Sequence, residues 1–436
     1  MGGRRMINVR LTLAVCAAAA AAVATAPAAE DLAARAARLH QAAIVADTHE
    51  DVPEDMAEKW GAYANWHDIG EPGATKEVDI PRLKQGGVTA PFFAVYVPAS
   101  YAESGGSARY ALDLSDLIDG MVARHPGELV GAASVADIRR AKAEGRIAVL
   151  KGIEGGHAIE DSMGALRGFY RLGIRYMTLT HTNTNHWADS SGNFFAPDYA
   201  AATYQVHHGL TDFGRAVVRE MNRLGMMVDV SHVSVETIDD VLESSRAPVF
   251  ASHSSCRALS NIPRNLTDDQ IKRIAAQGGV VMVNVSSIFL DQAAVDRFQA
   301  ELDRIRPQYL ATKEQYKDDP ARRQQELDKI MKGLPKRAPS DWTKVVDHIE
   351  HVIRIAGPDA VGLGTDFDGI PDPPAGLEDV SKLPRITEEL LRRGHSDDEV
   401  RKVLGENFLR FFSKVEEVSR SLASEPPSQA QIPPAP

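Results

Sequence analysis

The stretch Ala46-Asp47-Thr48-His49-Glu50-Asp51 closes the apolar run 42–46 and predicts the end of the first β-strand of this protein. Successive side chains of a strand point to opposite faces, so His49 and Asp51 are expected on the same face. An imidazole and a carboxylate at this spacing suit a divalent cation such as zinc. A single His-x-Asp pair is more often part of a surface turn, so a metal site requires further ligands from the rest of the chain.

Seven further segments rich in Val, Ile, Phe and Tyr predict strands that alternate with helical patterns. The eight predicted strands are 43–51, 87–97, 146–154, 174–181, 226–232, 248–253, 279–286 and 360–366. Alternating strands and helices indicate a parallel sheet, and near-continuous apolar strands indicate that both faces are covered. Eight repeats predict an α/β fold of the (β/α)8 TIM-barrel type. An open doubly wound sheet is the alternative, but no Gly-x-Gly-x-x-Gly follows the first strand.

The composition bounds the class of partner. The 436 residues carry a net charge of −11 at pH 7, and 44% of them are hydrophobic, which is ordinary for a globular protein. The sequence has no basic patch of the kind that nucleic acid requires. We therefore expect a soluble protein that acts on small molecules and has no nucleic-acid partner.

The N-terminus has the layout of a secretory signal peptide. A positively charged start precedes an apolar, Ala-rich run at 11–23, and small residues follow up to position 29. Removal of residues 1–29 would leave no transmembrane span and would place the mature protein outside the cytoplasm, secreted or periplasmic. Lipoprotein anchoring at Cys16 is the rival interpretation, and it is disfavoured because the apolar run continues beyond that residue.

The mature chain is expected to form one metallohydrolase domain over residues 30–423. Residues 293–339 are dense in charged side chains and predict a helical insertion before the last strand. The Pro-rich segment 424–436 predicts a disordered tail. Once the signal peptide is removed, Cys256 is the only cysteine, so the mature chain has no internal disulfide.

Most of the predicted strands end in a residue of a type that can bind metal or transfer protons. The carboxyl ends of the strands carry His49, Asp51, Glu154, His181, His232, His253, Asp366 and Asp368. In a (β/α)8 barrel these ends meet at one mouth, where catalytic residues collect. Each histidine alone is more often a core or surface residue, but four of them with several carboxylates at one mouth predict a metal site.

The residue types favour two metal ions over one. Two neighbouring ions need a carboxylate between them, and Glu154 is the natural bridge. His49 and Asp51 would complete one site, while His232 and His253 would complete the other. A water or hydroxide held between the metals becomes a nucleophile near neutral pH.

Three strand-end residues remain. Asp366 can take the proton from the attacking water and pass it to the leaving amine. His181 can polarise the substrate carbonyl or stabilise the tetrahedral oxyanion. Asp368 could be a second metal or substrate contact, but a second Asp in such a turn more often caps the following helix or bonds nearby backbone amides, and that is the interpretation favoured here.

Six motifs carry these residues in a fixed order from about residue 40 to 415. They are Asp47-Thr48-His49-Glu50-Asp51-Val52-Pro53, Gly152-Ile153-Glu154-Gly155-Gly156, Arg175-Tyr176-Met177-Thr178-Leu179-Thr180-His181, Val228-Asp229-Val230-Ser231-His232-Val233-Ser234, Ala247-Pro248-Val249-Phe250-Ala251-Ser252-His253-Ser254-Ser255 and Gly364-Thr365-Asp366-Phe367-Asp368-Gly369. In this combination the chain resembles the membrane (renal) dipeptidase family of the metal-dependent amidohydrolase superfamily. The combination is specific, although no single motif is.

The resemblance implies two zinc ions in the barrel. It implies that His49, Asp51 and Glu154 hold the first ion. It implies that Glu154, His232 and His253 hold the second, so that Glu154 is shared.

The resemblance also implies roles in catalysis and substrate binding. Asp366 is implied as the catalytic acid and base, and His181 as a residue that contacts the substrate and the tetrahedral intermediate. Arg264 is implied to bind the carboxylate of the substrate, a task that suits a planar guanidinium. Without the resemblance, Arg264 would be interpreted as a surface residue that precedes a helix.

The sequence therefore predicts a metallo-dipeptidase that cleaves free dipeptides by a metal-bridging hydroxide. The alternative is another binuclear-metal amidohydrolase, such as a lactonase or an N-acyl amide deacylase. Glu154 disfavours it, because the superfamily often has a carboxylated lysine at that strand end. A non-catalytic binding protein would lack a ligand or the acid/base, and none is missing. The family leads us to expect a homodimer, and stereospecificity stays open.

Overall fold

A computed structural model describes residues 1–3, 31–60 and 68–432 of the chain. Apart from residues 1–3, the predicted signal peptide lies outside the described residues, and Cys16 lies outside them with it. Residues 433–436 of the Pro-rich tail also lie outside them.

Parallel strands form the centre of the described structure. They are β1 Ala46–Glu50, β2 Ala90–Tyr96, β3 Leu129–Gly131, β4 Ile147–Glu154, β5 Ile174–Thr178, β6 Met227–Asp229, β7 Phe250–Ala251, β8 Val280–Val283 and β9 Val361–Leu363. Eight of them follow one another in the order β2-β1-β9-β8-β7-β6-β5-β4, and the pairing of β2 with β4 closes the ring. The predicted (β/α)8 barrel is therefore confirmed.

The short strand β3 was not predicted from the sequence. It pairs with residues 147–149 of β4, ahead of residues 150–154, which pair with β2. Three residues are too few to show a period of two, and such a strand forms only where a partner edge is available.

Helices surround the barrel. They are α1 Leu32–Ala42, α2 Val52–Trp60, α3 Ile80–Gln85, α4 Ser100–Ser104, α5 Ser107–Arg124, α6 Val135–Ala143, α7 Met163–Arg171, α8 Asp212–Leu224, α9 Val235–Ser244, α10 Asp268–Ala276, α11 Ser287–Leu290, α12 Gln292–Gln315, α13 Pro320–Lys332, α14 Thr343–Ala356, α15 Pro384–Arg392, α16 Asp397–Arg401 and α17 Asn407–Ser421. Among these described helices, none combines the length and the apolar character that crossing a membrane requires.

Side-chain caps fix where several outer helices begin. Each capping residue accepts a hydrogen bond from a backbone N–H in the first turn of its helix, which satisfies a donor that the helix itself leaves unpaired. The caps of α6 to α10 are Ser134, Ser162, Thr211, Ser234 and Thr267. The loops from the barrel mouth therefore turn into helices at defined points.

Aromatic rings fill the end of the barrel opposite the strand-end residues. The ring centroids of Phe92 and Tyr176 lie 5.2 Å apart, and Phe250 packs edge-on against Tyr176. Phe408 and Phe411 of α17 close this end from outside. The interior is therefore apolar here, and the polar strand ends lie at the other end.

The predicted helical insertion between β8 and β9 is confirmed as α12 and α13. Phe298 of α12 packs on Phe195, which belongs to the long loop between β5 and α8. The Arg337 guanidinium lies 4.1 Å from the Phe298 ring centroid and forms a 3.6 Å ion pair with Asp372. The insertion is thus anchored to loops that leave the strand ends.

The chain after α17 contacts the barrel helices. Residues 426–432 have neither helix nor strand. The Ser428 N–H donates to Glu220, and the Ser428 carbonyl accepts from Arg167, both at 3.1 Å. These contacts hold part of a segment whose composition predicted disorder.

Candidate active site

An irregularity in β1 decides which side chains of the first motif reach the barrel mouth. The pairing of β1 with β2 changes register between Asp47 and Glu50. Thr48 faces the interior, because its hydroxyl donates at 2.6 Å to a backbone carbonyl just beyond β7. The next residue, His49, also faces the interior, where its Nδ1 lies 2.8 Å from the Tyr176 hydroxyl. Bulges of this kind re-aim side chains beside active sites.

Glu154, the last residue of β4, lies at the centre of the cluster. The Nε2 atoms of His232, His253 and His181 lie 2.8, 3.3 and 3.9 Å from its Oε1. The Nε2 atom of His49 lies 3.6 Å from its Oε2. Burial raises the pKa of Glu154, but the surrounding imidazoles outweigh this effect and lower it well below its usual range. The carboxylate is therefore ionised and faces four imidazoles.

Asp51 and Asp366 complete the cluster on the side of His49. His49 Nε2 lies 3.4 Å from Asp51 Oδ2 and 3.9 Å from Asp366 Oδ1. Asn284 donates a 2.6 Å hydrogen bond to the second oxygen of Asp366. Burial, together with the neighbouring Asp51 carboxylate, raises the pKa of Asp366 well above its usual range. A carboxyl group tuned in this way is suited to holding and releasing a proton.

Three of the strand-end residues have left-handed backbone conformations. The angle φ is 67° at both His232 and Asp366, and 69° at Asp368. Residues other than glycine rarely adopt positive φ angles, and such backbone strain is often found at functional sites. Asp368 uses its carboxylate differently, since its Oδ1 accepts the Glu77 N–H at 2.7 Å. The expectation that Asp368 bonds a backbone amide is confirmed.

The cluster has the donor set of a divalent metal site. Three overlapping groups of donors have ligand atoms within 4.8 Å of one another, namely His49, His253 and Asp366; Glu154, His181 and His232; and His49, Asp51 and Glu154. Within the described residues, the buried atoms His49 Nε2 and Asp51 Oδ1 have no hydrogen-bond partner. Unpaired buried polar atoms are costly, so these two atoms fit metal ligands.

His232 and His253 are neutral in this environment. Their Nε2 atoms lie 2.9 Å apart. Burial lowers the pKa of both imidazoles well below the usual range, and the nearby Arg264 cation adds to the effect. A neutral imidazole offers the lone pair that a metal ion binds.

His181 borders the cluster on the solvent side. Its side chain is 17% exposed, and the Tyr96 ring packs against it with the centroids 4.7 Å apart. Burial lowers the pKa of His181 to about 4. The ring is therefore neutral near pH 7 and has one N–H to donate.

Arg264 is 4% exposed and lies next to His253. Its guanidinium donates to the Ser254 hydroxyl at 3.2 Å and to the His253 carbonyl at 3.3 Å, and it lies 5.2 Å from the Phe289 ring centroid. Burial lowers the pKa of Arg264 to about 10, so the cation persists at neutral pH. No carboxylate of the described residues forms an ion pair with it. Such a charge is suited to bind an anionic ligand group.

The structure brings to the barrel mouth all eight residues that were predicted to bind metal or substrate or to transfer protons. They are His49, Asp51, Glu154, His181, His232, His253, Arg264 and Asp366. Seven of them have a side-chain atom within 3.9 Å of another member, and Arg264 joins them through the His253 carbonyl. The sequence did not reveal the residues that support them, which are Tyr176, Asp229, Ser252 and Asn284. The signal that could have revealed them is their position in the predicted strands, since alternation along each strand places these polar side chains on the face that points into the barrel.

A closed (β/α)8 barrel whose strand ends gather imidazole and carboxylate donors defines a barrel metalloenzyme. The family model described as membrane dipeptidase (peptidase family M19) matches residues 33–426. The chain therefore belongs to this family, and it is a metallo-dipeptidase.

Solved structures agree with this assignment. The probable dipeptidase PvdM from Pseudomonas aeruginosa is 25% identical, with a TM-score of 0.76 over 89% of this chain and 99% of that one. The metallo peptidase dipeptidase AC of family M19 is 27% identical, with a TM-score of 0.68 over 86% and 98%. A metallo peptidase from Rhodobacter sphaeroides, liganded with a phosphinate mimic of the dipeptide L-Ala-D-Ala, is 26% identical, with a TM-score of 0.66 over 86% and 99%.

Proposed function

We propose that this metallo-dipeptidase is zinc-dependent and hydrolyses the peptide bond of free dipeptides. The observation that carries the proposal is the convergence of donors on Glu154. We assign His49, Asp51 and Glu154 to one zinc ion, and Glu154, His232 and His253 to a second. Glu154 suits the shared position because its Oε2 faces His49, whereas its Oε1 faces the other two histidines.

Zinc ions bound there would supply a Lewis acid and a water molecule acidic enough to act as the nucleophile. The residues of the chain supply the proton transfer and the oxyanion contact. Asp366, with its raised pKa, takes the proton of the attacking water and delivers it to the leaving amine. Neutral His181 donates its N–H to the carbonyl oxygen of the substrate as negative charge develops there.

Arg264 orients the substrate in this proposal. Its buried cation would bind the terminal carboxylate of a dipeptide, which places the scissile bond one residue before that carboxylate. The free amine of the substrate would meet a metal ion at the other end, and this would exclude longer and N-acetylated peptides. The dipeptide mimic in the similar Rhodobacter sphaeroides enzyme supports the same substrate class. Arg264 has no carboxylate partner of its own among the described residues, so the substrate would complete its pairing.

The predicted signal peptide leads us to propose that the enzyme acts outside the cytoplasm, secreted or periplasmic. The support is the sequence pattern of residues 1–29. A homodimer stays a prediction from the family resemblance.

The test is hydrolysis of a peptide panel by the purified mature protein, with chelator and with added zinc. The panel contains L-Ala-L-Ala, L-Ala-D-Ala, their N-acetyl derivatives and an alanine tripeptide. We expect zinc-dependent cleavage of the free dipeptides alone, and the L-Ala-D-Ala result decides the stereospecificity. A folded, zinc-loaded protein that cleaves lactones or N-acyl amides but no dipeptide would support the alternative amidohydrolase.

A further inference from the structure

A buried carboxylate lies directly beneath the proposed metal ligands. Asp229, the last residue of β6, is fully buried. Its Oδ2 accepts the hydroxyls of Thr178 and Ser252 at 2.5 and 2.6 Å. Its Oδ1 accepts the backbone N–H groups of Ser252 and Ser231 at 2.8 and 3.0 Å. Four donors thus converge on Asp229, which suits an ionised carboxylate that only accepts.

The direction of these hydrogen bonds determines the state of His253. The Ser252 hydroxyl has one hydrogen, and it is donated to Asp229. Toward His253 Nδ1, 2.7 Å away, the Ser252 oxygen therefore accepts, so Nδ1 carries the hydrogen of the ring. The opposite nitrogen, Nε2, is left with its lone pair and lies 3.3 Å from Glu154 Oε1.

We propose that Asp229, acting through Ser252, is a positioning residue that holds His253 in the tautomer that binds zinc. The inference rests on the proposed role of His253 as a zinc ligand. His49 has a different support, because its Nδ1 meets the Tyr176 hydroxyl, which bonds no carboxylate within the described residues. A group that accepts the N–H of the ring nitrogen away from the metal orients a metal-binding histidine and raises its basicity.

The substitution Asp229→Asn inverts this chain of hydrogen bonds with almost no change in shape. The two backbone N–H groups at Oδ1 require an acceptor, so the amide oxygen takes that position. The amide NH2 group then faces the Ser252 hydroxyl, which must accept from it and donate to His253 Nδ1. The tautomer with its hydrogen on Nε2 is then favoured, and it has no lone pair at that nitrogen for a metal ion, so metal binding must first restore the other tautomer at a cost in free energy.

The experiment measures the dissociation constant of Zn²⁺ by competition with a chromophoric chelator. Asp229→Asn and Ser252→Ala are expected to raise the dissociation constant of one of the zinc ions bound per chain by about 10- to 100-fold. Ser252→Thr retains the hydroxyl and should restore the affinity. Thr178→Val is the matched control, since it removes another hydroxyl partner of Asp229 without touching Ser252. The melting temperature of each metal-free variant reports its folding.

The outcomes separate the inference from the proposed function. Wild-type affinity in Ser252→Ala would overturn the inference, as would an equal loss in Thr178→Val, which would indicate a structural role. Should Asp229→Asn fail to fold, the comparison of Ser252→Ala with Ser252→Thr still decides. A folded wild-type protein that binds no zinc would instead overturn the ligand assignment, and the inference with it.

Discussion

The Nε2 atoms of His232 and His253 lie 2.9 Å apart and face the same oxygen of Glu154. Both imidazoles are neutral, so a hydrogen bond between the two nitrogens needs the ring hydrogen on one Nε2 and the lone pair on the other. A cation bound beside Glu154, as the proposed zinc site would supply, gives the lone pairs of both nitrogens a partner. The pair is therefore a suitable place to test metal binding.

Replacing His232 by alanine tests the second of the two proposed zinc positions. We expect His232→Ala to lose about one zinc ion per chain and at least about 100-fold in kcat, because a catalytic metal contributes several kcal/mol. Elemental analysis and dipeptide hydrolysis measure the two effects. The control is His186→Ala, whose side chain is 74% exposed and which should keep both properties. Unchanged zinc content in His232→Ala would contradict the assignment.

Asp366→Asn removes the proposed proton carrier while keeping its size. We expect kcat to fall by about 10²- to 10⁴-fold, the usual value of general acid–base catalysis. Zinc content should remain at the wild-type level, because Asp366 is not one of the assigned ligands. Loss of zinc would instead show that Asp366 binds metal, as its proximity to His49 and His253 permits.

Arg264→Met tests recognition of the substrate carboxylate. The wild-type enzyme is expected to prefer a dipeptide over its C-terminal amide by about 10- to 100-fold in kcat/KM, the worth of a charged hydrogen bond. In Arg264→Met this ratio should approach one, whereas Arg273→Met, a partly exposed arginine of α10, should leave it unchanged. An undiminished preference in Arg264→Met would place the carboxylate elsewhere.

His348 gives the fold a predictable pH dependence away from the metal site. Its Nδ1 accepts the Cys256 N–H at 3.0 Å, and burial lowers the pKa of His348 to about 4 from an ordinary value of 6.5. The unfolded chain therefore binds this proton more readily than the folded chain does. The stability that depends on a neutral His348 is complete above pH 6.5 and is progressively lost as the pH falls toward 4, with a loss of about 2 kcal/mol by about pH 5.

His348→Asn isolates this effect, since the asparagine oxygen still accepts the Cys256 N–H and does not titrate. The difference in free energy of unfolding between wild type and variant should shrink by about 2 kcal/mol from about pH 7.5 to about pH 5. Urea unfolding of the metal-free proteins measures it. His208→Asn replaces an exposed imidazole and should track the wild type. A constant difference between wild type and His348→Asn would refute the prediction.

The barrel and the convergence of its strand-end residues could be predicted because both depend on local sequence. Apolar strand segments alternate with helical ones, and eight such repeats favour a parallel barrel whose strand ends meet at one mouth, which the structure has. Glu154, His181 and His253 could therefore be brought together without coordinates. The insertion was predictable for the same reason, since its composition indicated helix between the last two strands.

What the tertiary structure decided is how these side chains are aimed and supported. The bulge in β1 turns His49 inward, and it arises from pairing with β2, which lies about 40 residues away along the chain. The left-handed backbone at His232 is likewise held in place by its surroundings. The hydrogen bond from Ser252 to Asp229 joins the ends of two neighbouring strands, so it forms only when β6 and β7 have paired. The sequence by itself determined which donors are present, whereas contacts between distant strands decided their direction, because a hydrogen bond needs both groups in place.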